Sequence, residues 1–347
     1  LNISTLDQIN WKAPDSWTTI DTIDMHTGGE PLRIPIKGLP EVKGRSVLEK
    51  RAYFKAHYDH IRQGLIYEPR GHADMYGAVL SPSTTSDGDF DVFFIHNEGY
   101  STMCGHAIIA LTKFVIETGL VPADDSRSIV FNVPAGRVTA RAQMVDDIVA
   151  TSSFLNVPSF VTLRDKRVTV DGIGEVVFDV AYGGAFYALV DVDSIGLGLS
   201  SSDYNQLIDA GRKIKYAVME HYDIVHPFQS ELSFLYGTIF TGRAHDSNHH
   251  SRNVCIFAEG EVDRSATGSG VSARASLHFV NKELSLHQPI TIESILGTTM
   301  TVEIVDEIEY HGYPAVIPKV TGAAHFVGKS TFSFDPLDPI GKGFIFR

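Results

Sequence analysis

Apolar and polar residues alternate along much of this chain, and the period changes at a few defined places. "WTTIDTIDMHT" and "EPLRIPIKG" read as two strands around a turn at Gly28-Gly29. In "SVLEKRAYFKAHYDHIRQGL", Val47, Leu48, Phe54, Tyr58 and Ile61 fall at helical spacing, with Gly64 as a stop. "MYGAVLS" and "FDVFFIHN" are again β-rich. A helix is predicted from about Gly105 to Thr118, ended by Gly119 and Pro122. Strands "SIVFNVPAGRVTARAQM" and "IVATSSFLNV" follow.

The second half repeats this order. "EVVFDVAYGGAFYALVDVD" gives two strands around Gly183-Gly184, and "SSDYNQLIDAGRKIKYAVMEHY" a helix. Strands "LSFLYGTIFTG" and "RNVCIFAEG" come next, then a helix from about Gly268 to Val280. "ITIESILG", "MTVEIVDEI" and "YPAVIPKVTGAAHFVG" close the series as strands. Spacing supports a duplication. Asp24 and Asp179 each lie four residues before a Gly-Gly pair. Gly29 to Cys104 spans 75 residues and Gly184 to Thr267 spans 83. The expectation is two similar domains related by a pseudo-twofold axis. They are residues 1–160 and 161–329, with a boundary near 156–165 and the tail 330–347 returning to the first.

Composition narrows the class. A chain of 347 residues with 43% hydrophobic and 20% charged residues is an ordinary soluble globular protein of about two domains. No apolar run reaches the roughly 20 residues of a membrane helix. The stretch "LNISTLDQINWKAPDSW" lacks the basic and apolar regions of a signal peptide. Two cysteines make no disulfide framework, so a cytoplasmic location is expected. A net charge of −13 argues against nucleic acid or an anionic membrane as partner. The oligomeric state is open, a homodimer included.

The chemistry collects at two helix starts. A helix N-terminus has free N–H groups and about half a positive charge, which binds anions and favours thiolate over thiol. Cys104 stands at the first, followed by Gly105 and His106. It is a nucleophile or base, or else a small buried cysteine packing a helix end. At the second, Gly268, Ser269 and Gly270 follow Thr267 and offer amides to a carboxylate or phosphate, with Asp263 placed to hold an ammonium group. Thr267 doubles as an N-cap. The Gly268-x-Gly270-x-x-Ala273 spacing is not a dinucleotide site, because too many residues separate it from the preceding strand. Facing helix starts would suit a zwitterionic amino acid, its α-carbon between Cys104 and Thr267. No lysine-based pyridoxal signature is present, so no cofactor is expected.

Other polar clusters carry weaker signals. His245, His249 and His250 sit on a loop with no metal-ligand spacing, so no metal is expected. His26 lines the pocket or is structural, and Arg70, His72 and Asp74 carry no assignable proton transfer. Cys255, inside the strand "NVCIF", reads as core.

Five segments, "DMHTGGEPLR", "RGHADMYGA", "MCGHAIIAL", "SRNVCIFAEGEVDRSATGSGVSAR" and the two-domain repeat itself, make the chain resemble the proline racemase family over nearly its whole length. The resemblance implies an α/β (α+β) fold similar to diaminopimelate epimerase. Two pseudo-symmetric domains, each a barrel-like sheet around a central helix, would enclose the site in the cleft between them. It implies Cys104 as catalytic acid/base and substrate carboxylate binding by the amides of Gly105, His106, Gly268 and Ser269. It places Asp263 on the ring nitrogen. Racemases and epimerases of the family carry a second cysteine where this chain has Thr267. A hydroxyl is too weak an acid to replace it near neutral pH. The Cys/Thr pair resembles that of trans-3-hydroxy-L-proline dehydratases, whose chemistry needs one strong base. A racemase or epimerase, and a non-catalytic binder of proline-like amino acids, are the alternatives.

Overall fold

The computed structural model describes residues 9–123 and 127–346. The first half holds β1 (Thr18–Thr27), β2 (Glu30–Lys37), α1 (Val47–Ile66), β3 (Tyr76–Pro82), β4 (Phe90–His96), β5 (Tyr100–Ser101), α2 (Gly105–Glu117), β6 (Ile129–Val133), β7 (Gly136–Val145) and β8 (Ile148–Leu155). The second half holds β9 (Ser159–Val170), β10 (Gly174–Tyr182), β11 (Phe186–Asp191), α3 (Tyr204–His221), β12 (Leu235–Gly242), β13 (Ser251–Phe257), β14 (Glu261–Val262), α4 (Gly268–Val280), β15 (Ile290–Glu293), β16 (Thr299–Tyr310), β17 (Tyr313–Gly322) and β18 (Ala324–Phe334).

The strands close two rings. In the second half, β9, β10, β11, β12, β13, β15, β16 and β17 pair in that order, and β17 pairs back onto β9. In the first half, β18, β1, β2, β3, β4, β6, β7 and β8 pair in that order. The end of β17 pairs with β8 and runs on through Ala323 into β18, which completes the ring. Two parallel contacts fall at matching places in each half: β2–β3 and β4–β6 in one, β11–β12 and β13–β15 in the other. The duplication expected from spacing is therefore a pseudo-symmetric fold.

Each ring wraps one helix. α2 is buried continuously from Gly105 to Ile116, and α4 from Gly268 to Ser276. A helix apolar on every side belongs inside a protein. α1 and α3 are amphipathic and pack outside the rings; α1 shares a separate small core with Phe93 and Ile95 of β4. No helix among the described residues is long and apolar enough to cross a membrane.

Two strands differ from the sequence expectation. β9 has no apolar signal in its middle, because "RDKR" runs through exposed positions; only its ends are buried. The stretch "YPAVIPKVTGAAHFVG" is two strands, not one. The chain leaves the second ring at Gly322 and pairs with β1 from Ala324 onward. The C-terminal segment stays with the first half, where Glu68 and Phe344 exchange backbone hydrogen bonds of 3.1 and 3.0 Å.

Phe160, fully buried on β9, packs on Tyr182 (5.1 Å between centroids) and Tyr313 (4.9 Å) where the second ring closes. Phe160→Ala is expected to cost about 3–5 kcal/mol of stability, measured by the shift in the denaturant midpoint.

Candidate active site

The two central helices meet end to end. A Cβ on Gly105 would lie 2.5 Å from Gly268 Cα, and one on Gly268 would lie 2.7 Å from Gly105 Cα. Only glycine at both positions permits this approach. Matching bonds tie each Gly-Gly turn to the other half: Thr298 Oγ1 donates to Gly28 O (2.8 Å) and Thr102 Oγ1 to Gly184 O (2.7 Å). The first intrahelical bonds run from Ile108 N to Cys104 O (3.1 Å) and from Val271 N to Thr267 O (2.8 Å). The amides of Gly105, His106, Gly268 and Ser269 therefore precede both ladders and have no acceptor within their helices.

One cavity opens on this junction. Cys104, Gly105, His106, Asp263, Thr267, Gly268 and Ser269, all proposed from sequence, line it together. It holds ≈ 20 Å³ of space for water-sized molecules, about one water. A ring amino acid is larger, so binding must widen it. Around it stand residues that sequence reasoning did not single out: Glu30, Tyr76, Tyr187, Tyr236 and Phe257. Glu30 ends the "TGGE" turn, so the glycine pair was its only sequence signal. The tyrosines lie among many apolar strand residues and had none. Cys255 is fully buried, as core residues are, and also lines the cavity.

Cys104 differs electrostatically from expectation. Its sulfur lies 3.1 Å from His106 Nδ1, while His106 Nε2 lies 3.2 Å from Pro31 O. Donation from Nε2 to that carbonyl leaves Nδ1 as acceptor toward the thiol. The helix start was expected to lower the thiol pKa. Instead burial pushes it well up, and the Asp263 and Glu30 carboxyls add to this, while the Ala107 amide opposes. Desolvation of a residue only 5% exposed outweighs the helix amides. Burial also holds His106 neutral, with its pKa lowered to about 3.

The opposite side is acidic and strained. Asp263 accepts from Ser265 N (2.7 Å), yet burial raises its pKa to about 6. Glu30 accepts from Arg264 N (2.7 Å), and burial with Asp263 nearby pushes its pKa well up. Tyr187 and Ser269 share a 2.7 Å hydrogen bond. Thr267 occupies the N-cap position but does not cap with its side chain: its φ of +65° is left-handed and Oγ1 completes no hydrogen bond. A β-branched residue adopts that backbone only under constraint.

The remaining sequence candidates lie elsewhere. His26 Nδ1 accepts from Gly29 N (3.2 Å) and its ring packs on His325. Arg70 reaches Gly341 O, and Asp74 pairs with Arg264 at 2.6 Å across the two halves. His249 bonds to Glu293 (2.9 Å) and His250 to Ser251 (2.9 Å), so the loop histidines do not converge. His96 and Glu261 form another link between the halves, at 3.1 Å.

Two outcomes follow. Thr267→Gly relieves the left-handed strain and is expected to raise unfolding stability by about 1 kcal/mol while lowering turnover. Denaturant unfolding and a rate assay on one preparation check both. Asp263 holds its proton more tightly folded than unfolded, so its contribution falls as pH rises from 3.8 to about 6 and stays low above. Asp263→Asn is therefore expected to be more stable than wild type by about 2–3 kcal/mol at pH 7 and equal to it near pH 4, read by urea unfolding at both.

The family model described as "Proline racemase" matches residues 22–345. A Colwellia psychrerythraea protein named trans-3-hydroxy-L-proline dehydratase is 49% identical over 334 residues, covering 96% of this chain and 94% of its own. A Homo sapiens protein of the same name is 43% identical over 335 residues, 94% and 95% of the two chains. Among solved structures, a hydroxyproline epimerase from Agrobacterium vitis, with bound trans-4-OH-L-proline, superposes with a TM-score of 0.90 at 28% identity over 96% of each chain. By sequence match along nearly its full length and by fold, the chain belongs to the proline racemase family.

Proposed function

We propose that this chain dehydrates trans-3-hydroxy-L-proline to Δ1-pyrroline-2-carboxylate with Cys104 as the base. The observation that carries this is the pairing at the two abutting helix starts: a thiol at one and a hydroxyl, Thr267, at the other, on one buried cavity. The names of the relatives at 49% and 43% identity support the same substrate. We assign the site to the cleft between two units close to the expected 1–160 and 161–329, with all of β18 (Ala324–Phe334) and the tail belonging to the first.

The substrate carboxylate takes the amides of Gly105, His106, Gly268 and Ser269, where two helix dipoles converge. The ring ammonium takes Asp263, with Glu30 beside it. Its positive charge offsets the carboxyls that raise the Cys104 thiol, and so eases thiolate formation. His106 Nδ1, facing the sulfur, accepts the thiol's hydrogen bond and orients it. The thiolate removes the α-proton, the electron pair forms the C2=C3 bond, and the 3-hydroxyl departs as water. The enamine then tautomerises to the imine. In this isomer the α-hydrogen and the hydroxyl share one ring face, so the elimination is syn and one base suffices. Thr267 lines the other face.

Epimerisation is the second reading. It rests on Cys255, whose thiol lines the same cavity, although burial pushes its pKa well up.

Cys104→Ser is expected to lower dehydration by at least about 10³-fold with substrate binding retained, measured by imine formation and by thermal shift. Undiminished turnover overturns the base assignment. With wild type in deuterium oxide, NMR is expected to show the imine. Accumulation of the cis isomer instead favours the second reading.

A further inference from the structure

A syn elimination needs a proton for the departing hydroxyl as well as a base for the α-carbon, and the residues assigned so far leave that hydroxyl without a partner. Six buried side-chain atoms among the described residues complete no hydrogen bond: Glu30 Oε1, Asn156 Oδ1, Tyr182 OH, Tyr236 OH, Glu261 Oε2 and Thr267 Oγ1. A buried polar group left unpaired costs about 1–3 kcal/mol, so each calls for an explanation. Three of them, on Glu30, Tyr236 and Thr267, line the cavity. Glu30 stands with Asp263 at the ammonium end. Thr267 is at the helix start opposite Cys104. Tyr236 remains.

Tyr236 enters the cavity from β12 and is held by aromatic packing. Its ring stacks on Phe257 (5.3 Å between centroids) and meets the edge of Tyr187 (5.9 Å). The residue is 8% exposed. Its hydroxyl approaches the first half, where Tyr76 and Ser101 are hydrogen-bonded to each other. Burial pushes both Tyr236 and the Cys104 thiol well toward their protonated forms, and the nearby Tyr76 hydroxyl opposes this in each. Tyr76 and Ser101, bonded to each other, thus neighbour a phenol that completes no hydrogen bond. That phenol lines the same cavity as Cys104, and in syn elimination the leaving oxygen departs on the side of the base.

We propose that Tyr236 is the acid for the leaving group, donating its phenolic proton to the 3-hydroxyl, and that Tyr76 and Ser101 connect it back to Cys104. This rests on the reading of Cys104 as base. The step balances. The thiolate gains the α-hydrogen, the C2–H electrons become the C2=C3 bond, the C3–O bond breaks, and the oxygen leaves as water with the Tyr236 proton. The thiol proton then passes along Tyr76 and Ser101 to the phenolate, which restores both groups.

The test is Tyr236→Phe, which keeps the ring packing and removes only an unpartnered hydroxyl. Thermal stability is expected to be unchanged or raised. Turnover of trans-3-hydroxy-L-proline is expected to fall by about 10²-fold or more with KM little changed. Because α-proton removal no longer commits the substrate, the primary isotope effect with α-deuterated substrate is expected to shrink. In deuterium oxide, recovered substrate is expected to gain α-deuterium. Wild-type turnover in Tyr236→Phe overturns the proposal. So does a slow variant whose isotope effect is undiminished and whose recovered substrate carries no deuterium, since the ring would then serve proton abstraction alone. Failure of the base reading shows separately, as retained activity in Cys104→Ser.

Discussion

Two helix N-termini point at each other across a single glycine contact, and most of the structure exists to hold them there. Each brings about half a positive charge and amides without acceptors. Brought together at Gly105 and Gly268, they repel unless an anion lies between them. The attraction that keeps the halves joined comes from their periphery. Threonine hydroxyls cross to the glycine turns, Arg264 pairs with Asp74, and His96 bonds to Glu261. A substrate carboxylate supplies the negative charge that this arrangement lacks.

The same enclosure sets the proton chemistry. Burial pushes Cys104, Glu30 and Asp263 toward their neutral forms and keeps His106 uncharged. Above about pH 6 the charge of an unfilled site rests on Asp263, and a zwitterion neutralises it with its ammonium. Its ammonium favours the carboxylates, and its carboxylate is taken by the amides. The base thus becomes available when there is a proton to remove, which limits a reactive thiolate to the occupied state.

Much of this could be read from residue order. The Gly-Gly turns, the helix starts at Cys104 and Thr267, and the acidic Asp263 sit in recognisable local patterns, and each reports its own position. What was not legible depends on long-range placement. Glu30, Tyr76 and Tyr236 reach the cavity from strands whose alternation says only that they are buried. The sign of the Cys104 shift was misread because a helix start is a local feature, whereas desolvation by the opposing half is not. β9 was passed over since its exposed middle carries charges in place of alternation. The orphaned hydroxyls of Tyr236 and Thr267 are visible only once every possible partner is placed.

The crossing of β17 into β18 has a consequence for how the molecule is made. The first ring is closed by residues 319–334, which leave the ribosome after every other strand of both rings. Until then β1 and β8 remain open sheet edges on a half-built domain, the kind of template that invites pairing with other chains. The first ring thus cannot close until the second has been synthesised. It must wait, exposed, for its last strand.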